Sequence, residues 1–356
     1  MLFRCQNCGG NMVYSPKHGG MFCPYCDGTG CEERVGGAGR MGGLDAAQDG
    51  NAAAVGGAAQ EAETMKEGLT ECVNCGAPLE IGEYNSTCKC AYCGSYVILD
   101  ERVSGRYRPQ RILPFQIGKE GVVKKMKEEF KSRIFTPESF LSEATLEEMK
   151  GMYVPFWLYD YKVHCGFSGR GTKIRVWTSG STEYTETSHY RVERDMDIDF
   201  DQVPVDASIE MGDEAMDLME PFDYGQLEGF SENYMSGFYG EIYNMEAGEL
   251  EGRAEGKVGK DAESLLKETV TGYHTLAQEH KAVEAVRKGV CHALLPVWRY
   301  RYQYQGREYV FYINGQTGKI AGAAPVSKKK VLAYSGTVFA LVWAAFTLLS
   351  HIVEVI

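Results

Sequence analysis

The sequence predicts an α+β protein: two small N-terminal zinc ribbons, a mixed α+β domain with two related antiparallel β modules, and one C-terminal transmembrane helix. Three observations support this prediction: a cysteine pattern and an aromatic segment that each occur twice, and a run of twenty uncharged residues near the end. The predicted ranges are 1–27 for the first ribbon, 28–70 for a flexible Gly/Ala-rich linker, 71–100 for the second ribbon, 101–326 for the cytosolic α+β domain and 331–353 for the helix.

Each predicted ribbon contains two C-x2-C pairs separated by fourteen residues, and the second copy follows the first by 67 residues. Two residues between the cysteines let one tight turn direct both sulfurs at a single tetrahedral ion. In three of the four pairs a glycine follows, and glycine tolerates the left-handed backbone that such a turn needs. We therefore predict two zinc ions, held by Cys5, Cys8, Cys23 and Cys26 in the first site and by Cys72, Cys75, Cys90 and Cys93 in the second.

The same cysteines could instead form a disulfide framework, which requires an oxidising compartment. No apolar signal-peptide core follows the N-terminus, so we expect reduced thiols in the cytosol. Cys88 lies close enough to Cys90 to compete as a ligand, but only Cys90 keeps both the spacing and the repeat register. Cys31 also lies outside the two sites, and we expect Cys165 and Cys291 to be small buried side chains in apolar, strand-like stretches.

The linker between the ribbons is rich in glycine and alanine and shows no apolar periodicity. It carries too few large apolar side chains to fold. We expect it to let the two ribbons move semi-independently.

The region after the ribbons is long enough for a core and combines helical with strand-like patterns. An apolar side chain recurs every fourth position from Val122 to Ile134, which predicts an amphipathic helix. Residues 154–161 and 295–302 share the pattern P-x-W-x-Y-x-Y, whose period of two predicts strands with one aromatic face. The second copy leads to Asn314 and a glycine, a pair that favours a tight turn between antiparallel strands.

Acidic residues are concentrated between the two β modules. Residues 193–255 contain nineteen Asp and Glu against two Arg, within a chain whose net charge is −12. Aspartates alternate with apolar residues from Asp195 to Asp201, which predicts a strand with one carboxylate face. A calcium site is an alternative, but the segment lacks the glycine and turn of a loop site. We interpret it as a solvated face or a contact for a basic partner.

Residues 331–350 form a run of twenty without charge. At about 1.5 Å per residue, a helix of this length crosses the roughly 30 Å core of a bilayer. A buried core helix would normally show a polar face, and this run has none. Three lysines precede it, so we predict a single-pass tail anchor in the cell membrane with the N-terminal domains in the cytoplasm.

Motifs for catalysis are missing from the sequence. No phosphate-binding G-x4-G-K-[ST] loop, nucleophile elbow or H-E-x-x-H pattern occurs. Both predicted zinc sites have four thiolates, which leaves no open coordination position for a substrate. We therefore predict that the protein is not an enzyme and uses no nucleotide.

A further signal is the combination of the ribbons with six short segments, which are Leu113–Phe115, Tyr153–Trp157, Val203–Asp206, Leu294–Trp298, Asn314–Lys319 and Pro325–Lys330. This combination resembles a bacterial family of TFIIB-type zinc-ribbon-containing membrane proteins, whose members are often labelled primosomal helicase or replication factor. The resemblance implies protein partners at the membrane, of the phage-shock or SPFH type.

Two functional hypotheses follow from these patterns. The first is a membrane-anchored zinc-binding adaptor that recruits or positions protein partners at the cytoplasmic membrane face in a membrane-stress response. The alternative is a nucleic-acid-binding zinc-ribbon protein linked to replication. Residues 1–108 disfavour the alternative, because their nine Lys and Arg against thirteen Asp and Glu do not form a basic footprint.

Overall fold

The computed structural model describes residues 1–35 and 69–355. Most of the predicted flexible linker, residues 36–68, lies outside the described residues. The chain divides into two compact units. The ribbon unit contains residues 1–108 and 231–242, and the sheet unit contains residues 109–230 and 243–356.

The elements of the described residues are mixed α and β, as the sequence predicts. The helices are α1 (Lys119–Phe130), α2 (Glu143–Glu147), α3 (Asp213–Leu218), α4 (Ala247–Thr269) and α5 (Lys328–Val355). The strands are β1 (Leu2–Cys5), β2 (Val13–Ser15), β3 (Gly20–Phe22), β4 (Glu32–Val35), β5 (Leu69–Glu71), β6 (Pro78–Glu80), β7 (Asn85–Lys89), β8 (Tyr96–Ile98), β9 (Arg111–Ile112), β10 (Lys150–Ser179), β11 (Thr182–Asp206), β12 (Glu228–Gly229), β13 (Tyr239–Glu241), β14 (Thr275–Tyr304), β15 (Arg307–Asn314) and β16 (Ile320–Ala321).

The two ribbons pack against each other in one unit. The Ile98 backbone N–H donates to the Met1 carbonyl at 2.9 Å, and both side chains are buried. The Arg4 guanidinium donates to the Asn74 side-chain oxygen at 3.0 Å. The expectation of semi-independent ribbons is therefore wrong for the described residues, because each ribbon buries part of its apolar surface on the other.

The ribbon unit also extends beyond the predicted limits. Strand β4 pairs antiparallel with β1, so the first ribbon runs past residue 27 to Val35. Strand β5 pairs with β6, so the second begins at Leu69. Residues 231–242, predicted within the α+β domain, belong to the ribbon unit, where the Tyr14 N–H donates to the Ser236 carbonyl at 2.8 Å. This segment covers apolar ribbon surface that would otherwise face water.

The sheet unit is built on three long antiparallel strands. Strand β10 lies between β11 and β14, and β14 also pairs with β15 and, in parallel, with β9. The two P-x-W-x-Y-x-Y segments occupy β10 and β14 and pair with each other, with Val154 opposite Leu295. They are therefore neighbours in one sheet and do not form two separated β modules.

Aromatic and aliphatic side chains fill the space between the sheet and the helices. Tyr159, Tyr161 and Tyr300 are fully buried, which confirms that the aromatic stripe belongs to the core. Helix α4 lies along the long strands and buries one face at helical spacing, and α1 buries three of the predicted residues. Ile134, the fourth, lies beyond the end of α1 and is exposed, so that part of the helix prediction is wrong.

The tip of the β10–β11 hairpin extends beyond the third strand. Strand β14 begins at Thr275, which pairs with Thr172, so residues 173–188 form a two-stranded ribbon closed by a turn at Gly180. A strand of thirty residues is about 100 Å long at about 3.3 Å per residue. We call the three long strands the arm and residues 173–190 the arm tip.

The predicted acidic strand lies in the arm. From Glu193 to Asp201 in β11, exposed acidic positions alternate with half-buried neighbours, as the period of two requires. Asp197 meets His164 at 3.0 Å and Lys162 at 3.5 Å on the same face. The Asp197 carboxylate is thus paired with basic side chains of the neighbouring strand.

Helix α5 is the one helix of the described chain that is long and apolar enough to cross a membrane. Residues 328–349 have a mean hydropathy of 1.8, and none of that surface is buried inside the protein. A core helix would be covered by its own chain, so α5 needs another apolar environment. This makes it a candidate membrane span.

Deleting residues 331–356 should convert a membrane-bound protein into a soluble one, because the deletion removes the continuous apolar surface of α5. Membrane flotation of the full and shortened chains measures this. If the shortened chain still floated with membranes, another surface would be the anchor.

The buried carboxylate of Asp206 predicts a strong stability effect. Its Oδ1 accepts a hydrogen bond of 2.7 Å from Arg253, and its side chain has no exposed surface. Arg253→Ala would leave this charge buried without a partner, so we expect the free energy of unfolding to fall by about 3 kcal/mol.

Urea denaturation of the full chain in detergent measures the change. Arg191→Ala is the matched control, because the Arg191 side chain is 80% exposed in its ion pair with Glu193. For this control we expect the free energy of unfolding to fall by less than about 1 kcal/mol. Equal effects of the two variants would contradict the assignment.

Candidate metal centres

Four similar turns present the predicted ligands. In the first, the Cys5 N–H donates to the Gly10 carbonyl at 2.8 Å and the Gly9 N–H donates to the Cys5 carbonyl at 2.8 Å. The other three turns repeat both bonds at 2.8–2.9 Å. These backbone bonds place the two cysteines of each pair on the same side of the turn.

The residue after each pair has a positive φ. It is Gly9, Gly76 and Gly94 in three turns, with φ of 72°, 73° and 72°. In the fourth turn Asp27 takes this conformation with φ of 56°. Aspartate is one of the few side chains that visits the left-handed region routinely, which explains how the pattern tolerates the exchange.

The turns bring the eight predicted cysteines into two groups of four. Within each group all sulfurs lie within 4.8 Å of one another. Cys5 and Cys26 sulfurs are 3.6 Å apart and Cys8 and Cys23 sulfurs 3.5 Å apart. In the second group, the Cys72 and Cys93 sulfurs are 3.7 Å apart, and so are the Cys75 and Cys90 sulfurs.

These distances fit one tetrahedral ion for each group. Sulfurs bound at about 2.3 Å to a single ion lie about 3.8 Å apart, close to the separations observed. Disulfide sulfurs would be about 2.05 Å apart, and all the cysteines of the described residues are free. The two groups can therefore hold metal ions, and their four thiol donors are compatible with zinc.

In each group, hydrogen bonds favour the thiolate form of one cysteine. Burial raises the pKa of Cys5, but hydrogen bonds from the Cys8 backbone and from neighbouring thiols lower it to about 6. Burial likewise raises the pKa of Cys93, and hydrogen bonds with the side chains of Ser95 and Asn74 lower it to about 5. Because the thiolate is the form that binds metal, both sites begin with one ligand already near its binding form.

Polar side chains beside the second site connect it to the first ribbon. The Ser95 hydroxyl lies 3.2 Å from the Cys93 sulfur and accepts a hydrogen bond of 3.1 Å from the Asn74 amide. Asn74 in turn accepts from Arg4, and Asn11 donates to the same Ser95 hydroxyl. Groups around a metal site commonly orient its ligands in this way, and here two of them come from the other ribbon.

The cysteines outside the two groups have different environments. Cys88 packs in the apolar core of the second ribbon beside Leu79 and Val97, so Cys90 is the member of the site. Cys165 is buried as expected, whereas Cys291 is only half-buried. Sequence reasoning missed Cys31, whose sulfur lies 3.4 Å from that of Cys5.

Within the described chain, the two cysteine groups are the only clusters of three or more His, Cys, Asp or Glu side chains that could hold a metal ion. The aspartates of β11 do not form such a cluster. The alternative of a calcium site in that strand therefore has no support among the described residues.

Comparison with known proteins places the chain in a family. It is 35% identical over 237 residues to a Bacillus subtilis protein named uncharacterized protein YdjG, and the match covers 67% of this chain and 70% of the relative. The chain belongs to the YdjG family. The name of this relative assigns no activity to it.

No protein-family model matches the chain, and no solved structure matches it. The site residues are therefore assigned from geometry.

We expect the full chain, purified in reducing buffer with metal supplied, to carry two equivalents of divalent metal. Cys75→Ser should lower this to about one, because a site with three thiolates binds metal much more weakly. Elemental analysis against protein concentration gives the ratio.

Cys88→Ala is the control and should keep two equivalents, because Cys88 is not a member of the site. A wild-type value near zero would refute both metal sites.

Proposed function

We propose that this protein is a membrane-anchored, zinc-binding adaptor that recruits or positions protein partners at the cytoplasmic membrane face. The observation that carries the proposal is the combination, in one unit, of an apolar helix that its own chain leaves uncovered and a long arm with exposed aromatic side chains. The partners implied by the sequence resemblance are membrane-stress proteins of the phage-shock or SPFH type.

In this proposal zinc has a structural role. Each site offers four cysteine sulfurs, the donor set of closed structural zinc sites, and leaves no position for a substrate. A ribbon of about thirty residues gains most of its folding free energy from such an ion. The protein would then act by binding other proteins and would not turn over a nucleotide.

Helix α5 would hold the other domains at the membrane. Lys328, Lys329 and Lys330 form its first residues, and basic residues beside a span favour the cytoplasmic side. They also suit anionic head groups, at about 1 kcal/mol for each lysine near the surface. This supports a single-pass anchor in the cell membrane, with the ribbons and the arm in the cytoplasm.

The arm tip is the docking surface that this proposal favours. Trp177 and Tyr184 are directly opposite each other, stack at 5.6 Å between ring centroids and are 42% and 46% exposed. The Arg175 guanidinium lies 5.5 Å from the Trp177 ring centre, and Lys173 lies 5.4 Å from that of Tyr190. Aromatic side chains and arginine are enriched at protein interfaces, and the cations favour a partner with an acidic surface.

The alternative function, nucleic-acid binding, has one observation in its favour. Aromatic rings beside cations also suit single-stranded nucleic acid, whose bases stack on such rings. However, the rings of Trp177 and Tyr184 already stack on each other, and the acidic face of β11 continues along the same arm. A protein partner fits this charge distribution better.

The double variant Trp177→Ala/Tyr184→Ala should weaken recruitment of the partner by about tenfold, because an exposed aromatic pair at an interface contributes on the order of 1–2 kcal/mol. The readout is the membrane fraction of a fluorescently tagged phage-shock or SPFH-type partner in cells that express the full chain. The control Ile134→Ala/Ile209→Ala removes two apolar side chains elsewhere that are even more exposed, and it should leave recruitment unchanged.

The same complexes, solubilised in detergent and treated with nuclease, separate the two functions. Retention of the protein partner supports the adaptor, whereas loss of all bound material after nuclease supports the alternative. DNA-stimulated ATP hydrolysis that belongs to this chain would overturn the proposal.

A further inference from the structure

A fifth thiol lies beside the first metal site. The Cys31 sulfur is 3.4 Å from the Cys5 sulfur, slightly closer than the sulfurs of the site are to each other in the pairs Cys5–Cys26 and Cys8–Cys23. Cys31 is not a member of the four-thiol group. With four ligands a tetrahedral ion is complete, so Cys31 remains as a free thiol in contact with a ligand.

The backbone fixes Cys31 at this place. The Gln6 N–H donates to the Cys31 carbonyl at 2.8 Å, and the next residue, Glu32, pairs with Cys5 between β4 and β1. Gly28 leaves the space for the thiol: a Cβ at that position would lie 3.1 Å from the Cys31 sulfur and 3.4 Å from that of Cys26. The contact of Cys31 with Cys5 is therefore built into the first ribbon.

The second ribbon has no equivalent thiol. The residue that follows Cys31 by 67 positions is Ile98. The additional cysteine of that ribbon, Cys88, packs in its apolar core. Each metal site thus has its own four cysteine ligands in the same geometry, and only the first has a fifth thiol beside it. The second site can therefore serve as an internal control for the first.

We propose that Cys31 makes the first metal site sensitive to peroxide, through a disulfide between Cys31 and Cys5. Cys8 and Cys26 are more exposed than the half-buried Cys31, but in the loaded site both would be bound to metal. Cys31 is then the thiol of this site that is left free to react with peroxide. Its thiolate attacks hydrogen peroxide, the O–O bond breaks, and the products are a sulfenic acid on Cys31 and a hydroxide that takes up a proton to form water.

Cys5 completes the reaction. Its thiolate attacks the Cys31 sulfur, the S–O bond breaks, and the hydroxide released takes up a proton to form a second water. The two sulfurs together lose two electrons, which reduce one peroxide to two waters. The first site then keeps only three thiolates and loses its metal, and the second site is unaffected.

This inference rests on the proposed metal occupancy of the first site, and the experiment separates the two. The full chain with its metal, in detergent, is treated with hydrogen peroxide while a coloured chelator reports released metal. We expect release of about one of the two equivalents, with a Cys5–Cys31 disulfide in the peptide map. A thiol reductant with added metal should restore the site.

Cys31→Ser should slow this release by roughly tenfold, because only metal-bound thiolates remain as targets at the site. Cys165→Ser, at a buried cysteine of the sheet unit, is the control and should behave as the wild type. Equal release from Cys31→Ser and wild type, equal loss from both sites, or a peptide map without the Cys5–Cys31 bond would overturn the inference. If the variant does not fold, the peptide map of the oxidised wild type still tests whether the Cys5–Cys31 disulfide forms. Absence of metal before oxidation would instead refute the metal proposal.

Discussion

A ribbon of about thirty residues has too little apolar surface to fold alone, and the architecture of the first unit follows from this shortage. The core of the second ribbon consists of Cys72, Leu79, Cys88, Cys90 and Val97. Two of these five, Cys72 and Cys90, belong to the four-cysteine group that could hold a metal ion, so the candidate site and the core share side chains. An ion bound there would therefore contribute directly to the stability of the ribbon core.

The same shortage explains why the ribbons associate. Met1, Leu2 and Met12 are buried in the ribbon unit, and residues 231–242 add further cover from a distant part of the chain. The polar contacts from Arg4 and Asn11 reach Asn74 and Ser95 beside the second site. Each ribbon therefore supplies some of the packing that the other lacks.

Features that depend on short stretches of sequence could be predicted. The C-x2-C turns are local, so the eight cysteines of the two groups follow from spacing alone, and the apolar length of α5 follows from composition. The aromatic stripe was also predictable, because a period of two fixes which side chains share a face.

Features that depend on distant contacts could not be predicted. Met1 contacts Ile98, and the two aromatic segments pair in one sheet. Both contacts join residues about 100 or more positions apart in the chain. Cys31 carries no motif, and its contact with Cys5 exists only because β4 returns to β1. The end of α1 before Ile134 likewise has no strong sequence signal. An apolar side chain at every fourth position does not show at which residue the helix ends.

The point at which β14 begins has a mechanical consequence for the arm. Up to Thr172 the central strand is supported on both sides, and beyond it only one neighbour remains. Two-stranded ribbons twist more than wider sheets and are marginally stable by themselves. The three-stranded part of the arm is therefore stiffer than the arm tip. Bending of the arm tip changes the direction in which Trp177 and Tyr184 face, while the three-stranded part keeps their distance from the rest of the sheet unit nearly constant.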